Sequence, residues 1–426
     1  MVELNDQARD VIVAILGGGQ GTRLSPLTDE RSKPAVPIGG KYRLIDIPIS
    51  NAIHSEMRRI LVLTQFNSTS LHRHINLTYK FDQFSPSYVQ ILAAQQTPDN
   101  QTWYMGTADA IRQNLRLIAD VPGNLVLILS GDHMYRMDYR MMLREHLETN
   151  ADITIGVLPC SEDDIAGFGA ARVDADGRIR EFREKPATPE AREGMQVAPA
   201  LLEKSGIGAD RPYIASMGIY LFRKETLVQC LENELVDFGR DIIPGCVGTH
   251  RVQSYFFNDY WRDIGTIRSF FETHMDMVTP APPFRFTDPD WPFYTRPRYL
   301  PASRLDSCTL SRTMLSEGAV LSESHVEDAV LGIGTRLHGV KVKRALIMGN
   351  DPQMRVGKVP KGAPPIGIGP GTVVENAIID KNSRIGANVQ VINRDGVQEA
   401  DGAGWLIRDG VVVVRRGAII PDNTVI

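Results

Sequence analysis

The stretch "ILGGGQGTRLSPLTDERSKPAV", which runs from Ile15 to Val36, decides the fold of the first part of the chain. It leaves the apolar run "VIVAIL" through three consecutive glycines and then presents Thr22, Arg23 and, ten residues later, Lys33. Glycine N–H groups at such a turn are not shielded by a Cβ atom and can face an anion at the start of a helix. We therefore predict a phosphate-binding loop in which Arg23 and Lys33 supply positive charge.

The spacing of this loop differs from that of two familiar glycine-rich phosphate loops. The triphosphatase loop ends in Gly-Lys-Ser or Gly-Lys-Thr, whereas this loop ends in Gly21, Thr22 and Arg23. The dinucleotide fingerprint counted from Gly17 needs a glycine where Thr22 stands. A tight strand-to-helix turn with surface charges is the alternative, and the three glycines with two nearby cations favour phosphate binding over it.

Composition and charge narrow the class of protein. The chain has 426 residues, which is long for one hydrophobic core and predicts two domains. Its formal charge of -4 lacks the basic excess that a nucleic-acid partner requires. The four cysteines form no Cys-x-x-Cys pair, which argues against a zinc site or a disulfide framework and favours a reduced, cytoplasmic setting. Neither a signal-peptide pattern nor an apolar run of roughly 20 residues is present, so no membrane partner is expected.

The first two thirds of the sequence alternate short apolar runs with helical patterns. "VIVAIL", "RILVLTQ", "NLVLILSGDH" and "DITIGVL" are rich in β-branched residues and leucine, and "GTADAIRQNLRLIAD" has apolar residues at helical spacing. Strands that are buried on both faces and joined by helices predict a mostly parallel sheet in an α/β domain. Ligands of such sheets bind at the carboxyl ends of the strands, where the glycine loop and "GDH" both fall.

The composition and periodicity of the sequence change after residue 278. The segment "TPAPPFRFTDPDWPFYTRPRYLPAS", Thr279 to Ser303, is dense in proline and aromatic residues and predicts an extended, packed connector. Beyond it, Val373, Ile379, Ile385 and Val391 recur every six residues, which is typical of a left-handed parallel β-helix. An antiparallel β-sandwich is the alternative. The predicted units are residues 1–278 for the α/β domain, 279–303 for the connector and 304–426 for the β-helix.

Two carboxylates follow predicted strand ends. Asp132 in "LSGDHMYRMDY" and Asp263 in "DYWRDIGT" each stand beside a glycine turn. Mg²⁺ needs only one or two carboxylates when phosphates and water complete its shell, so this pair is the candidate metal site. Helix capping is the alternative role for either residue alone. We expect His133 to make a structural hydrogen bond, because no second histidine or cysteine lies at ligand spacing.

Weaker signals surround these motifs. "EFREKPA" presents Glu184 and Lys185 before a proline, where the lysine could grip a sugar phosphate or form a surface ion pair. The other candidates are polar or aromatic residues suited to sugar hydroxyls or a base, namely Ser216, Gly218, Asp237, Phe238, Asp241, Trp103, Tyr104, Gln95 and Gln96.

Taken in order, these segments resemble the ADP-glucose pyrophosphorylases, also called glucose-1-phosphate adenylyltransferases. The resemblance rests on "GGGQGTRLSPLTDERSKPAV", "IDIPISNAI", "WYMGTADAIRQN", "LSGDHMYRMDY", "FREKP", "ASMGIYLF", "DFGRDIIP" and "YWRDIGT", and it covers nearly the whole chain. The C-terminal sequence is similar to the cyanobacterial and plant branch. The resemblance implies a Rossmann-like nucleotidyltransferase domain followed by a left-handed β-helix, Mg²⁺, a homotetramer or heterotetramer, and allosteric control in glycogen or starch biosynthesis.

The resemblance also implies roles for individual residues. Those that would contact ATP are Gly17, Gly18, Gly19, Gly21, Thr22, Arg23, Lys33, Gln95, Gln96, Tyr104 and Gly106. Those that would receive glucose 1-phosphate are Glu184, Lys185, Ser216, Asp237 and Trp261. Asp132 and Asp263 would bind the metal, and the expected catalytic set is Arg23, Lys33, Asp132, Lys185 and Asp263.

Two positions, Glu30 and Lys381, bear on the binding of regulatory metabolites. Bacterial relatives often carry a basic residue where this chain has Glu30, which puts a bisphosphate contact there in doubt. Lys381 matches an activator lysine of the cyanobacterial and plant branch, which implies activation by 3-phosphoglycerate and inhibition by orthophosphate; a surface lysine is the alternative. For the whole protein, the competing hypotheses are a uridylyl- or thymidylyltransferase and a non-catalytic regulatory subunit.

Overall fold

The computed structural model of the protein describes residues 2–96, 102–198, 210–351 and 360–426. Its α-helices within these ranges are α1 Val2–Arg9, α2 Asp46–His54, α3 Thr69–Thr78, α4 Thr107–Gln113, α5 Leu115–Asp120, α6 Tyr139–Glu148, α7 Glu162–Ile165, α8 Pro189–Arg192, α9 Lys224–Cys230, α10 Ile243–Val247 and α11 Ile267–Asp276. Short 3-10 turns cover Thr22–Leu24 and Lys33–Ala35, and a π-helical turn covers Phe238–Ile242.

The strands fall into two groups. Those of the N-terminal domain are β1 Val11–Leu16, β2 Pro37–Ile38, β3 Tyr42–Arg43, β4 Arg59–Thr64, β5 Tyr88–Ala93, β6 Leu125–Ser130, β7 His133–Tyr135, β8 Ile153–Cys160, β9 Gly169–Val173, β10 Ile179–Glu184, β11 Tyr213–Arg223, β12 Val252–Phe256 and β13 Trp261–Asp263. Those of the C-terminal domain are β14 Arg304–Asp306, β15 Thr309–Leu315, β16 Val320–Ser322, β17 His325–Leu331, β18 Arg336–His338, β19 Lys341–Ile347, β20 Gly367–Ile368, β21 Val373–Ile379, β22 Arg384–Ile385, β23 Gln390–Val391, β24 Ala400–Gly402, β25 Trp405–Arg408, β26 Val411–Val414 and β27 Ile419–Ile420.

A nine-stranded sheet forms the centre of the N-terminal domain, and the α/β class predicted from the sequence is confirmed. Strand β1 lies between β4 and β6 and is parallel to both, and β5 continues the parallel series beside β4. The residues of β1 alternate between two hydrophobic cores: Val11, Val13 and Ile15 face one core, and Ile12 and Ala14 face the other. Burial on both faces explains why "VIVAIL" reads as a continuous apolar run.

One long strand departs from the parallel pattern. Strand β11 runs antiparallel to both β6 and β8 and separates these two strands in the sheet. Its pairing with β8 shifts register between Ser216 and Ile219, where Gly218 takes a φ of 67°. A glycine tolerates this left-handed conformation without a steric penalty, so the strand can bulge at this position. The bulge lies beside the site described below.

The helical segment that begins at Thr107 is broken in the middle. Helix α4 ends at Gln113 and α5 begins at Leu115, with Asn114 between them. The amide of Asn114 donates hydrogen bonds to the hydroxyl of Tyr104 and to the carbonyl of Ala110. The Asn114 side chain thus links the break between α4 and α5 to the irregular segment that contains Tyr104.

The C-terminal domain is a parallel β-helix, as predicted, and the β-sandwich alternative is wrong. Strands β15, β17 and β19 pair in parallel with a register step of 16 residues, as between Thr309, His325 and Lys341. Strands β24, β25 and β26 are the exception, because they pair antiparallel at the C-terminal end.

The six-residue pattern holds at three of its four predicted positions. Ile379, Ile385 and Val391 are buried in the core of the β-helix, whereas Val373 is half-buried and Val374 takes the inward position. Asn376, with a φ of 52°, lies between Val374 and Ile379. A residue in the left-handed region interrupts the alternation of a strand, which accounts for the shift by one position.

The proline-rich segment packs against the N-terminal domain. Phe284 and Phe293 are buried in the same core as β1. Phe286 stacks on Tyr42 with ring centroids 4.2 Å apart, and the guanidinium of Arg136 lies over the Phe284 ring at 5.3 Å. These contacts anchor the aromatic rings of the segment in the N-terminal domain.

The two domains share a hydrophobic core and a buried ion pair. Phe271 of α11 packs in one cluster with Val330 and Leu346 of the β-helix. The guanidinium of Arg31 binds the carboxylate of Asp380, with side chains only 5% and 1% exposed. Exposed pairs flank it, because Asp29 lies 3.1 Å from Arg415 and Glu30 lies 3.6 Å from Arg416. The loop that leads to Lys33 is therefore attached to the β-helix. Among the described helices none is long and apolar enough to cross a bilayer.

We predict that the Arg31–Asp380 pair is essential to the docking of the domains. The Asp380→Asn substitution leaves a buried guanidinium without its counter-charge, which costs about 3–5 kcal/mol. We expect a thermal unfolding midpoint that is clearly lower than in the wild type, measured by calorimetry. The Glu375→Gln control removes the same charge from an exposed side chain of the same coil. Equal midpoints for the two variants would contradict the prediction.

Candidate active site

The glycine loop leaves β1 close to the neighbouring strand. The N–H of Gly17 donates to the carbonyl of Leu63 at 2.8 Å, and a Cβ atom on Gly18 would lie 3.2 Å from the side chain of Gln65. Gly21 takes a φ of 66° and leads into the 3-10 turn Thr22–Leu24, so the loop opens a single turn rather than a longer helix. Among Gly17, Gly18, Gly19 and Gly21, only the last requires glycine for its backbone conformation.

Lys33 lies between the two predicted metal ligands. Its ammonium is 2.6 Å from a carboxylate oxygen of Asp132 and 3.5 Å from one of Asp263. The two carboxylates come together because β7 and β13 pair antiparallel, with His133 opposite Asp263. A two-stranded sheet thus joins positions that are 131 residues apart in the sequence.

Electrostatic interactions keep Lys33 and Asp132 charged. Burial alone would raise the pKa of Asp132, but the charges of Lys33 and His133 and the hydrogen bonds from Lys33 and Ser130 hold that pKa far below its usual range. Burial alone would lower the pKa of Lys33, yet the charges of Asp132 and Asp263 raise it. The result is a fixed ion pair at the carboxyl end of β6.

Two cavities meet at this ion pair. The smaller, about 240 Å³, is lined by the four glycines of the loop together with Thr22. The larger, about 380 Å³, is lined by all five residues predicted to receive the sugar phosphate, namely Glu184, Lys185, Ser216, Asp237 and Trp261. Arg23, Lys33 and Asp132 line both cavities. Two anionic ligands could therefore occupy adjoining spaces with the same cations between them.

Glycines make room for Glu184 in the larger cavity. A Cβ atom would lie 2.6 Å from its carboxylate oxygen if added to Gly239, and 2.9 Å if added to Gly169. Burial and the charge of Asp237 raise the pKa of Glu184, and the ammonium of Lys185, 3.7 Å away, opposes this shift. Lys185 itself is exposed and has a φ of 46°, so its side chain leaves the strand at a turn.

Asp237 is held by the start of α4. The hydroxyl of Thr107 donates to the Asp237 carboxylate at 3.2 Å and accepts the N–H of Phe238 at 3.0 Å. The carbonyl of Val236 accepts the N–H of Ala108 at 2.9 Å. These hydrogen bonds therefore join the segment around Asp237 to the N-terminus of α4.

Four residues predicted to contact the nucleotide line neither cavity: Gln95, Gln96, Tyr104 and Gly106. Gln95 and Gln96 are exposed after β5. The Tyr104 ring is buried in the core, and its carbonyl accepts a hydrogen bond from Gln65, which also adjoins Gly18. Gly106 permits the close approach of the Val236 carbonyl, 2.3 Å from where a Cβ would lie. Their predicted contacts with the base stay predictions.

The fold brings to the site residues that the sequence analysis did not assign to it. Thr107, Phe168 and Gly169 line the larger cavity, and His133 joins Asp132 and Asp263 in a cluster whose ligand atoms lie within 4.8 Å of one another. The Nε2 atom of His133 is 3.4 Å from Asp132 and 3.8 Å from Asp263. The sequence indicated only that His133 follows Asp132 directly. Its proximity to Asp263 could not be predicted, because β13, which pairs with β7, is distant in the sequence.

The donor set fits a hard divalent cation. Two carboxylates converge where the cavities meet, and oxygen ligands with room for phosphates and water suit Mg²⁺. The Lys33 ammonium contacts one oxygen of each carboxylate, so a bound cation would be held by their other oxygen atoms. Asp132 and Asp263 are thus able to hold the ion beside a bound polyphosphate.

A second basic cavity lies at the junction of the domains. It has a volume of about 130 Å³ and is lined by Arg43, Ser70, Arg73, His74, Arg296, Asp351 and Arg416. Lys381 is half-buried nearby, and burial together with the positive charges of Arg43 and Arg298 lowers its pKa to about 7. Lys381 therefore lies within a group of cations rather than alone on the surface of a coil.

Fold and site define an α/β protein in which two adjoining cavities share a wall of charged side chains. The chain belongs to the nucleotidyl transferase family, whose profile matches residues 12–279. The profile of the GLGC left-handed parallel β-helix domain matches residues 298–425. This pairing is the architecture of sugar-1-phosphate nucleotidyltransferases of the ADP-glucose pyrophosphorylase type.

We predict that Lys33 is the main cause of the acidity of Asp132. In the Lys33→Met protein the pKa of Asp132 should rise toward the ordinary aspartate range, because desolvation remains and the nearest positive charge is gone. A pH titration of the ¹³C-labelled carboxyl group measures the change. Wild-type Asp132 keeps its charge as the pH falls below about 4, where an ordinary aspartate protonates. A Lys185→Met control should leave the titration unchanged, and an unchanged titration in Lys33→Met would contradict the prediction.

Proposed function

We propose that the protein transfers the adenylyl group of ATP to α-D-glucose 1-phosphate, giving ADP-glucose and pyrophosphate for glycogen or starch biosynthesis. The observation that carries this proposal is the placement of Arg23, Lys33 and Asp132 in the wall that two cavities share. One cavity is built from a glycine loop that suits a polyphosphate, and the other from carboxylates and a lysine that suit a phosphorylated sugar. The resemblance of the motifs to ADP-glucose pyrophosphorylases supports adenine and glucose as the specific groups.

The reaction needs charge compensation more than acid–base catalysis. A phosphate oxygen of the sugar phosphate attacks the α-phosphorus of ATP, and the bond to the pyrophosphate oxygen breaks. The attacking group is already an anion at neutral pH, so no general base has to remove a proton. Two unit charges about 4 Å apart repel by about 4 kcal/mol at an effective dielectric constant of about 20, and this repulsion must be offset.

The residues around the shared wall supply that offset. Arg23 and Lys33 would hold the phosphates of the nucleotide, and Lys185 would hold the phosphate of the sugar. Asp132 and Asp263 would bind Mg²⁺, which supplies positive charge to the phosphate oxygens. Glu184, Ser216 and Asp237 would accept or donate hydrogen bonds to sugar hydroxyls, which fixes the direction of attack.

Pyrophosphate release from a panel of nucleotides tests the proposal. With glucose 1-phosphate and Mg²⁺, we expect ATP to be used at least about tenfold more efficiently than UTP or dTTP, a difference of about 1.4 kcal/mol. The measurement is kcat/KM for each nucleotide. A preference for UTP or dTTP would identify another sugar nucleotidyltransferase instead.

A substitution at Asp132 separates an enzyme from a regulatory subunit. The kcat of the Asp132→Asn protein should be lower by about 100-fold or more, because Asp132, which is both the proposed metal ligand and the partner of Lys33, loses its charge. The Asp163→Asn control changes an exposed carboxylate of α7 and should keep full activity. A wild-type chain without activity under any nucleotide or effector would instead support the regulatory-subunit hypothesis.

We propose that anionic metabolites control the enzyme, with 3-phosphoglycerate as the activator and orthophosphate as the inhibitor. The basic cavity between the domains and the nearby Lys381 support an anion site there. Glu30 lies 3.6 Å from Arg416, so it neutralises part of the charge that a bisphosphate would need. The cyanobacterial and plant branch, a tetramer and a cytoplasmic location are part of the same proposal and rest on the resemblance.

The Lys381→Ala protein should show a clearly smaller ratio of activated to basal rate with 3-phosphoglycerate. Because the pKa of Lys381 is about 7, the wild type should also need more activator as the pH rises above 7 and the ammonium loses its proton. Initial rates at several activator concentrations and pH values measure both effects. The Lys341→Ala control removes an exposed lysine from a neighbouring coil. An unchanged activation ratio in Lys381→Ala would contradict the assignment.

A further inference from the structure

Two cysteines that are separate in the sequence meet in the fold. Cys230 is the last residue of α9 and Cys246 belongs to α10. Their sulfur atoms are 2.8 Å apart, and both side chains are buried in the same hydrophobic core. This contact could not be predicted from the sequence, because fifteen residues lie between the two cysteines and their spacing matches no redox or metal motif.

The chain between these cysteines forms one wall of the active site. Asp237, Phe238 and Gly239 line the larger cavity. The same segment holds the start of α4 through the Thr107 hydroxyl and the Val236 carbonyl. Arg112 of α4 also donates to the carbonyl of Leu231 at 3.1 Å. A constraint on residues 231–245 would therefore reach both the sugar side of the site and the helix that follows Gly106.

We propose that Cys230 and Cys246 are a modification site: a dithiol that closes to a disulfide by exchange with a low-molecular-weight or protein disulfide and so ties residues 231–245 into a ring. The contact between the sulfur atoms and the position of the ring in the cavity wall carry the proposal. It does not depend on which nucleotide or sugar the enzyme uses.

The exchange balances without a further reagent. The thiolate of Cys230 attacks the oxidant disulfide, forming a mixed disulfide and releasing one thiolate. The thiolate of Cys246 then attacks the Cys230 sulfur, the internal disulfide forms and the second thiolate leaves. The protein loses two protons and two electrons, and the oxidant is reduced to two thiols.

The surroundings favour Cys230 as the first nucleophile. The hydrogen bond with the Cys246 thiol lowers the pKa of Cys230, although burial opposes this shift. The same contact raises the pKa of Cys246. A ring nitrogen of His250 lies within 4.8 Å of both sulfur atoms. A thiolate is the reactive form in exchange, so Cys230 should react before Cys246.

The test uses the full chain with oxidised glutathione and, separately, with reduced glutathione. Free thiols are alkylated, the protein is digested without reduction, and peptides are identified by mass spectrometry. We expect a linked Cys230–Cys246 peptide after oxidation, its loss on adding dithiothreitol, and no such link in Cys230→Ser, Cys246→Ser or Cys246→Ala. The Cys308→Ser control changes a half-buried cysteine of the β-helix and should still form the link.

Hydrogen exchange measures the consequence of the link. Oxidation should slow hydrogen exchange of residues 231–245 at least threefold in the wild type and in Cys308→Ser, because the ring removes open conformations. It should not slow exchange in Cys230→Ser, Cys246→Ser or Cys246→Ala. Oxidation that leaves both thiols free, or that joins Cys308 between chains instead, would overturn the proposal. So would one tightly held zinc ion per chain that is lost in His250→Ala. Because neither readout requires turnover, failure of the adenylyltransferase proposal would leave this test intact.

Discussion

The site depends on one arrangement of charge: the Lys33 ammonium held between the carboxylates of Asp132 and Asp263. A charged group is costly to bury alone, and the opposite charges of the partners offset that cost at a point where two cavities meet. The glycine loop places Lys33, strand β6 places Asp132, and the β7–β13 pairing places Asp263. Three separate parts of the chain must therefore fold correctly before the charged centre exists.

The same loop connects this centre to the second domain. Arg31 lies two residues before Lys33 and is paired with buried Asp380, which is next to Lys381. An anion that binds near Lys381 would alter the field around Asp380 and hence the position of the loop. Coupling between sites requires a continuous physical connection with two arrangements, and this ion pair supplies the connection. The Arg31–Asp380 pair thus joins the β-helix to the segment that carries Lys33.

The thiol pair adds a second means of control on the opposite wall. Residues 231–245 are hydrogen-bonded to α4 at Thr107 and Ala108, and Asp237 and Thr107 both line the larger cavity. The Lys33 side of the site is held by ion pairs with the β-helix, whereas the Asp237 side is held by local packing and the two sulfur atoms. Metabolite anions and thiol oxidants would therefore act on different walls of one cavity.

The sequence alone predicted the α/β and β-helix domains, which the structure and the family profiles show. It also predicted a phosphate-binding glycine loop and the candidate site residues Asp132, Asp263, Lys33 and Lys185, whose roles stay predictions. These features depend on local rules, since period, glycine content and strand ends are readable within a few residues. Only the tertiary structure decided that β11 runs antiparallel, that Val374 replaces Val373 in the core, that His133 joins the carboxylates, and that Cys230 meets Cys246. Each of these depends on pairing between distant segments or on one left-handed residue, which a linear pattern does not encode.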